Sequence, residues 1–394
     1  ASSMGANTTA SNNTSVGYSS LAACTTGAGN TAVGAIALDA ITTSADNTAV
    51  GHQALTNASS GAGNTAIGKA TMTAVVTGSN NVAVGRYALS ANTSASNNVA
   101  VGINALVTNT TGGNATAVGG EALAANTTGA RNTAFGYQSS AANTTGYDNV
   151  SVGYGSLKTC TTGYNNAILG YDAQPLSTTG YNNTSIGRSA HLALTTGISC
   201  TAVGFSAGDK ITSGSSTTCI GAYADTTSVS STDANAFGYN VQGETGYTTV
   251  GVNADDIRAA HGNITWATVS DVRVKKDIED STVGLSFIND LRPVTFNYKN
   301  KGDLPKEFRG YEEDSTEVYK SKKSQHGFIA QEVKAAIDKH SNIKDGFSMW
   351  DDDDENGQQR VGETALVPVL VKALQELSTT VDELKSELLA LKGE

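Results

Sequence analysis

Thr26-Gly27-Ala28-Gly29-Asn30-Thr31-Ala32-Val33-Gly34-Ala35-Ile36-Ala37-Leu38 decides the fold, because the chain writes it again and again. Glycine recurs at Gly17, Gly34, Gly51 and onward to Gly238, 17 residues apart and without insertion over 14 units. Such a period marks a stack of identical structural units. The residue before each of these glycines is apolar (Val16, Val33, Val50, Ile67, through Phe237) and the one before that is usually Ala or Ser. Asn stands four before the glycine in ten units, a second Gly seven before it in ten, and Leu or Met four after it in eight. Two glycines per unit and many β-branched Thr and Val exclude a helix. The reading is a mostly β chain, a parallel β-solenoid or β-roll whose rungs are stable only when stacked. Fourteen rungs at ~4.8 Å make a rod about 65 Å long.

Side chains alternate along a strand, so the Val row is expected to fill the core and the Ala/Gly row to face outward, where small residues admit a sister backbone. Thr-Thr-Gly is expected to turn through glycine at positive φ, and the stacked Asn column to form an amide ladder. Two aromatic columns stand out: Tyr147, Tyr164 and Tyr181, and Tyr137, Tyr154 and Tyr171. They are candidates for contact with the sugar faces of a cell-surface glycan, against the plainer reading of rings stacked on each other or on a sister subunit. The period ends after Gly238, with the next Val-Gly at Val250-Gly251, only 13 residues on. Residues 1–240 therefore read as the shaft and residues 241–269 as a neck ending in Ile264-Thr265-Trp266-Ala267-Thr268-Val269.

At Ser270 the composition changes. Residues 1–269 hold 7 Lys/Arg and 11 Asp/Glu, while the much shorter stretch 270–394 holds 18 and 25, so a domain boundary lies here. A net charge of −11 leaves no basic surface for a polyanion and excludes nucleic acid as a partner. No apolar run is long enough to span a bilayer, and no secretory signal is present. The chain begins at Ala1 without Met, which leaves room for an upstream portion. Cys24, Cys160, Cys200 and Cys219 follow no metal-ligand spacing; they read as small buried or turn residues, with Cys200 and Cys219 alone close enough in repeat number to pair. His52, His191, His261 and His340 also lack metal spacing, and no metal or cofactor is expected.

The last 125 residues carry four motifs in order: Ser270-Asp271-Val272-Arg273-Val274-Lys275-Lys276; Leu291-Arg292-Pro293-Val294-Thr295-Phe296-Asn297-Tyr298; Gly327-Phe328-Ile329-Ala330-Gln331-Glu332-Val333; and Leu366-Val367-Pro368 running on to Leu377. Together they resemble the self-cleaving intramolecular chaperone domain, of endosialidase type and peptidase family S74, that ends phage tail fibres and tailspikes. The shaft text is similar to the head repeats of trimeric autotransporter adhesins, whose units are usually a little shorter than 17. The fold expected for residues 270–394 is α+β, with a strand from Pro293 to Tyr298, a turn into a helix from Gly327 to Ile337, and a final coiled-coil helix. Its heptad seam is Val367, Leu370, Leu374, Leu377, Val381, Leu384, Leu388 and Leu391. The seam demands partner helices; the resemblance sets their number at three. Asp352-Asp353-Asp354-Glu355-Asn356-Gly357 followed by Glu363 fits a calcium-loop pattern, but no amphipathic helix precedes it and Asn-Gly is a hairpin-turn signal. The hairpin is preferred.

The resemblance implies autoproteolysis between Val269 and Ser270, with Ser270 as nucleophile, Lys275 as its base and Lys276 as the alternative. Asp271, Arg273, Lys276 and His326 are the supporting candidates; the positive charges of Arg273 and Lys276 would help keep the lysine base neutral. Cleavage within one chain and cleavage between subunits both stay open. The protein expected is a homotrimeric phage tail fibre, assembled in the host cytoplasm and carried in the virion. Its partners would be a host glycan or receptor and upstream tail or baseplate proteins. A bacterial trimeric surface adhesin and a glycan-degrading tailspike are the alternatives; the first would need a membrane anchor and the second a catalytic carboxylate cluster outside the repeats, and neither is visible in the sequence.

Overall fold

Each repeat folds as one rung, and the tripeptide Thr31-Ala32-Val33 with its equivalents forms the strand. In the computed structural model residues 3–263, 267–268, 270–308, 310–340, 342–343, 347–351 and 359–393 are described. Among them three-residue strands run from β1 (Thr14–Val16) to β13 (Thr218–Ile220), one per repeat. Each pairs in parallel with the strand 17 residues on, as in Thr31↔Thr48, Ala32↔Ala49 and Val33↔Val50. The architecture is the parallel β-solenoid of 17-residue repeats that the glycine spacing implies. Near its end β14 (Asp225–Thr226) pairs with β16 (Gln242–Gly243), and β15 (Asn235–Tyr239) with β17 (Tyr247–Val252) at a register of Asn235↔Thr248. The shortened last period is thus one rung cut by four residues. The chain then reverses into β18 (Asp255–Ala260), antiparallel to β17, and β19 (Ala267–Thr268) pairs antiparallel to β18. This antiparallel hairpin covers the open edge that a parallel stack would otherwise expose. Ile264, Thr265, Trp266 and Val269 of the neck run lie outside the described residues.

The faces are the reverse of those expected. Ala32, Ala49 and Ala66 are fully buried, whereas Val16 is 58% exposed, Phe135 54% and Leu169 48%. One core cluster holds both the Ala column and the column Leu21, Leu38, Leu55, Met72, Leu89, Leu106 and Leu123. Those long side chains take up much of the narrow interior, so mostly small residues sit opposite them, with Ile168 a buried exception beside Leu157, and the branched row is turned out. The leucines accept a left-handed backbone to point inward, with φ of 51° at Leu38 and 52° at Leu55. That conformation costs about 1–2 kcal/mol, and burying a leucine returns about 1.5–3 kcal/mol.

The glycine of Thr-Thr-Gly also acts differently from expectation. Positive φ falls instead on Gly34 (138°) and on turn residues such as Asp46 (60°) and Asn80 (58°). At Gly180 a Cβ would lie 2.7 Å from the carbonyl oxygen of Gly197 in the next rung, although other rungs place Ser44 and Ala95 at this position. Close stacking, rather than turn geometry, favours glycine there. The Asn ladder forms: Asn47 and Asn64 each donate a backbone N–H to the side-chain oxygen of the preceding Asn at 3.0 Å. A second buried ladder runs through Asn109, Asn126 and Asn143, a spacing also present in the sequence; Asn126 donates to Asn109 Oδ1 at 2.8 Å and Asn143 to Asn126 Oδ1 at 2.7 Å. All four cysteines are buried and free, so Cys200 and Cys219 are not bridged. Cys200 replaces an Asn of the first ladder and its thiol reaches the Gly214 carbonyl at 3.2 Å.

A polar cluster interrupts the core where Gln174 and His191 occupy the leucine column. Ser185 Oγ lies 2.8 Å from both Gln174 Oε1 and His191 Nδ1, and His191 Nε2 is buried without a partner. Complete burial pushes the imidazole down to about 3. An unfolded His titrates near ~6.5, so the unfolded chain binds the extra proton and the rod loses stability as pH falls from about 6.5 toward 3. His191→Leu is expected to flatten that part of the profile relative to the parent, a difference of a few kcal/mol at pH 4. Denaturation at several pH values measures it, and parallel profiles would contradict the burial argument. Asp225, raised to about 6 chiefly by burial, works in the opposite sense, which is why the comparison must be made between variants.

The second unit, Asp271–Glu394, packs α1 (Leu285–Asp290), α2 (Ala330–Lys339) and the start of α3 (Leu366–Lys392) around Phe287, Val333, Ile337 and Met349. β20 (Val294–Phe296) pairs antiparallel with β21 (Gln325–Gly327), and β22 (Trp350–Asp351) with β23 (Arg360–Val361). The flanks of the acidic loop are therefore a hairpin, while residues 352–358 lie outside the described residues. α1 is capped from afar: the Leu285 N–H donates to Glu376 Oε2 at 2.8 Å.

Candidate functional site

Around the unit boundary the chain makes a single tight turn. Ser270 closes the first unit and Asp271 opens the second, so the expected nucleophile and base stand on either side of the boundary. Asp271 caps a 3-10 turn at Val272–Val274, its Oδ1 accepting the Arg273 N–H at 2.9 Å. The same carboxylate grips the Arg273 guanidinium, Nε to Oδ1 at 2.9 Å and Nη2 to Oδ2 at 2.6 Å. The guanidinium holds the Asp271 carboxyl below its usual range, and the carboxylate raises Arg273 in return. Arg273 consequently spends its charge on Asp271, while Lys276 has no carboxylate partner among the described residues. The Lys275 N–H closes the turn on the Val272 carbonyl at 3.1 Å. Ser270, Lys275 and Lys276 are exposed, and so are the apolar Val272, Val274 and Ile278 at 64–68%. Val269, on the other side of the expected scissile bond, lies outside the described residues.

His326 sits on β21 opposite Thr295 of β20, its Nδ1 3.3 Å from Thr295 Oγ1. It lines an open cleft of about 900 Å³ between this pair, β23 and the start of α2. Sequence reading missed the cleft, because its walls come from well-separated segments of the chain: Phe296, Tyr298, Tyr319, Lys320 and Glu363. Glu363 approaches the backbone of Gly327, where a Cβ would lie 3.2 Å from its Oε1.

α3 has two faces. Leu366, Val369 and Ala373 are buried in the unit, while the eight seam residues Val367, Leu370, Leu374, Leu377, Val381, Leu384, Leu388 and Leu391 are 40–85% exposed. The tyrosine columns on the rod are stacked rings: Tyr147–Tyr164 and Tyr164–Tyr181 at 5.0 and 4.7 Å, Tyr137–Tyr154 and Tyr154–Tyr171 at 5.5 and 5.2 Å. The Arg188 guanidinium lies 5.6 Å from the Tyr171 ring. Inner ring faces are spent on each other, leaving edges and hydroxyls outward. Among the described residues no group of His, Cys, Asp and Glu is arranged to hold a metal ion, and no helix is long and apolar enough to cross a membrane.

Residues 270–342 match a protein-family model described as chaperone of endosialidase, Peptidase_S74. No curated protein and no solved structure matches the chain. A C-terminal segment that matches this family model, joined to a solenoid of 17-residue repeats, fits a tail fibre with a C-terminal chaperone domain.

Proposed function

We propose that the chain is a trimeric phage tail fibre for host attachment, whose C-terminal unit aligns three copies and then releases itself by cleavage between Val269 and Ser270. One coincidence carries this reading: the family match begins at Ser270, and the compact units part between Ser270 and Asp271. A processing site belongs at such a junction, because both products keep an intact core.

In the proposed reaction Ser270 Oγ attacks the Val269 carbonyl carbon while Lys275 takes the hydroxyl proton. The C–N bond breaks as the departing nitrogen receives a proton, leaving Val269 esterified to Ser270 with a free amine; water then hydrolyses the ester. A lysine acts as a base only when neutral, and burial favours the neutral amine. In a single chain Lys275 is exposed and Arg273 is paired with Asp271, so assembly has a role to play: covering this stretch is what would switch the dyad on.

Trimerisation draws support from two unpartnered apolar surfaces. One is the exposed α3 seam. The other is the outward Val row, a strip about 10 Å wide that offers on the order of 650 Å² over the rod, close to the ~800 Å² per partner of a standard interface. Leu384→Asp with Leu388→Asp should convert trimers to monomers and lower processing at least about tenfold, since charges in a seam cost several kcal/mol. Light scattering and a denaturing gel check this, and normal trimers would remove the seam from the assembly mechanism. Host attachment, to a receptor or glycan, is assigned to the rod; tyrosine edges and hydroxyls, rather than ring faces, are what the stacked columns offer. Intact-mass measurement of freshly expressed protein tests the whole reading. Two fragments parted between Val269 and Ser270 are expected, and a chain that stays whole while trimeric would refute it.

A further inference from the structure

The second unit carries two surfaces that match each other and are unmatched within one chain. The first is the cleft beside β20 and β21, where Phe296, Tyr298 and Tyr319 form an aromatic wall edged by Lys299 and Lys320. Lys320 Nζ stands 5.6 and 5.4 Å from the Tyr298 and Tyr319 rings, and neither lysine has a carboxylate partner among the described residues. The second is the irregular segment after the processing turn, Asp277-Ile278-Glu279-Asp280. Ile278 is 64% exposed, and none of the three carboxylates has a cationic partner among the described residues.

We propose that this segment of one copy docks in the cleft of the next, Ile278 against the aromatic wall and the carboxylates toward Lys299 and Lys320. Apolar centre and charged rim are complementary in sign and kind. The contact is heterologous, each copy giving its segment to one neighbour and its cleft to the other, and under the threefold symmetry of the proposed trimer such contacts close into a ring. This rests on the trimer reading above. Lys275 lies two residues before Asp277, so docking would bring a neighbour's surface over the dyad in the ring and nowhere else.

The test uses Glu279→Cys with Lys320→Cys in a full-length Ser270→Ala chain, whose four native cysteines are buried. A short bis-maleimide should give covalent dimers and trimers as the main bands on a denaturing gel. Monomer bands alone, unlinked or internally linked, from a sample that light scattering shows to be trimeric would overturn the docking and leave the trimer standing; a monomeric sample would overturn both. In the Ser270 chain, Lys320→Glu should slow processing about tenfold, with Glu279→Lys in the same chain restoring most of the rate. Unchanged processing in Lys320→Glu, or no rescue, would also sink the proposal.

Discussion

Gly85→Ala will abolish the folded rod, while Gly120→Ala will leave it standing. Gly85 has φ of +135°, and a Cβ on it would lie 2.5 Å from the carbonyl oxygen of Gly102 and 2.7 Å from its carbonyl carbon. The backbone conformation alone costs about 1–3 kcal/mol in a residue with a side chain, and forced overlap adds about 1–3 kcal/mol. Neither can relax, since the atom struck is main chain held in the next rung's ladder. Gly120, one residue beyond a glycine of the same column, would place its Cβ 3.3 Å from Tyr137 Cδ2, a side chain able to yield a few tenths of an ångström. Soluble yield and thermal melting followed by circular dichroism compare the two. A Gly85→Ala rod that melts with the parent would mean that rung spacing is looser than the structure has it.

Ser270→Ala should yield a full-length trimer, because it removes the attacking hydroxyl without touching either core. Processing is expected to fall by at least about a thousandfold, the scale on which loss of a nucleophile acts. Lys275→Ala should do nearly the same; if it cleaves normally, the base moves to Lys276. Asp271→Asn would separate two roles for the turn: it frees Arg273 from its ion pair while keeping a side-chain oxygen to accept the Arg273 N–H. Denaturing gels followed over time decide among these, and cleavage of Ser270→Ala at the parent rate would end the nucleophile assignment.

The proposed chaperone role has a physical reason in the folding of the rod. Rungs with a 17-residue period can pair a whole unit out of step at little cost, and in the proposed trimer three rods would multiply the wrong choices. Aligned C-termini would remove the ambiguity before the rungs zip. Residues 1–269 made alone should therefore refold poorly, whereas the same residues released by processing should remain stable; equal refolding of the two would assign residues 270–394 another task.

The one-dimensional features were legible in the sequence. The rung period, the Asn ladder, the shortened last turn at Val250-Gly251, the change of composition at Ser270 and the leucine seam each depend on spacing alone. Spacing survives into the fold because every rung occupies the same place relative to its neighbours. The tertiary structure decided what spacing leaves degenerate. Alternation divides Thr31-Ala32-Val33 into two faces without saying which is inside, and with one row methyl-sized and the other apolar, either could have been. The volume already taken by Leu38 and Leu55 across the core settled it, sending alanine in and valine out. Only three dimensions could show that Tyr164 spends its ring faces on Tyr147 and Tyr181, that Arg273 is neutralised by Asp271, or that Tyr298, Tyr319 and Glu363 meet in a cleft. Those outcomes depend on competition for a shared space among groups that the sequence lists one after another.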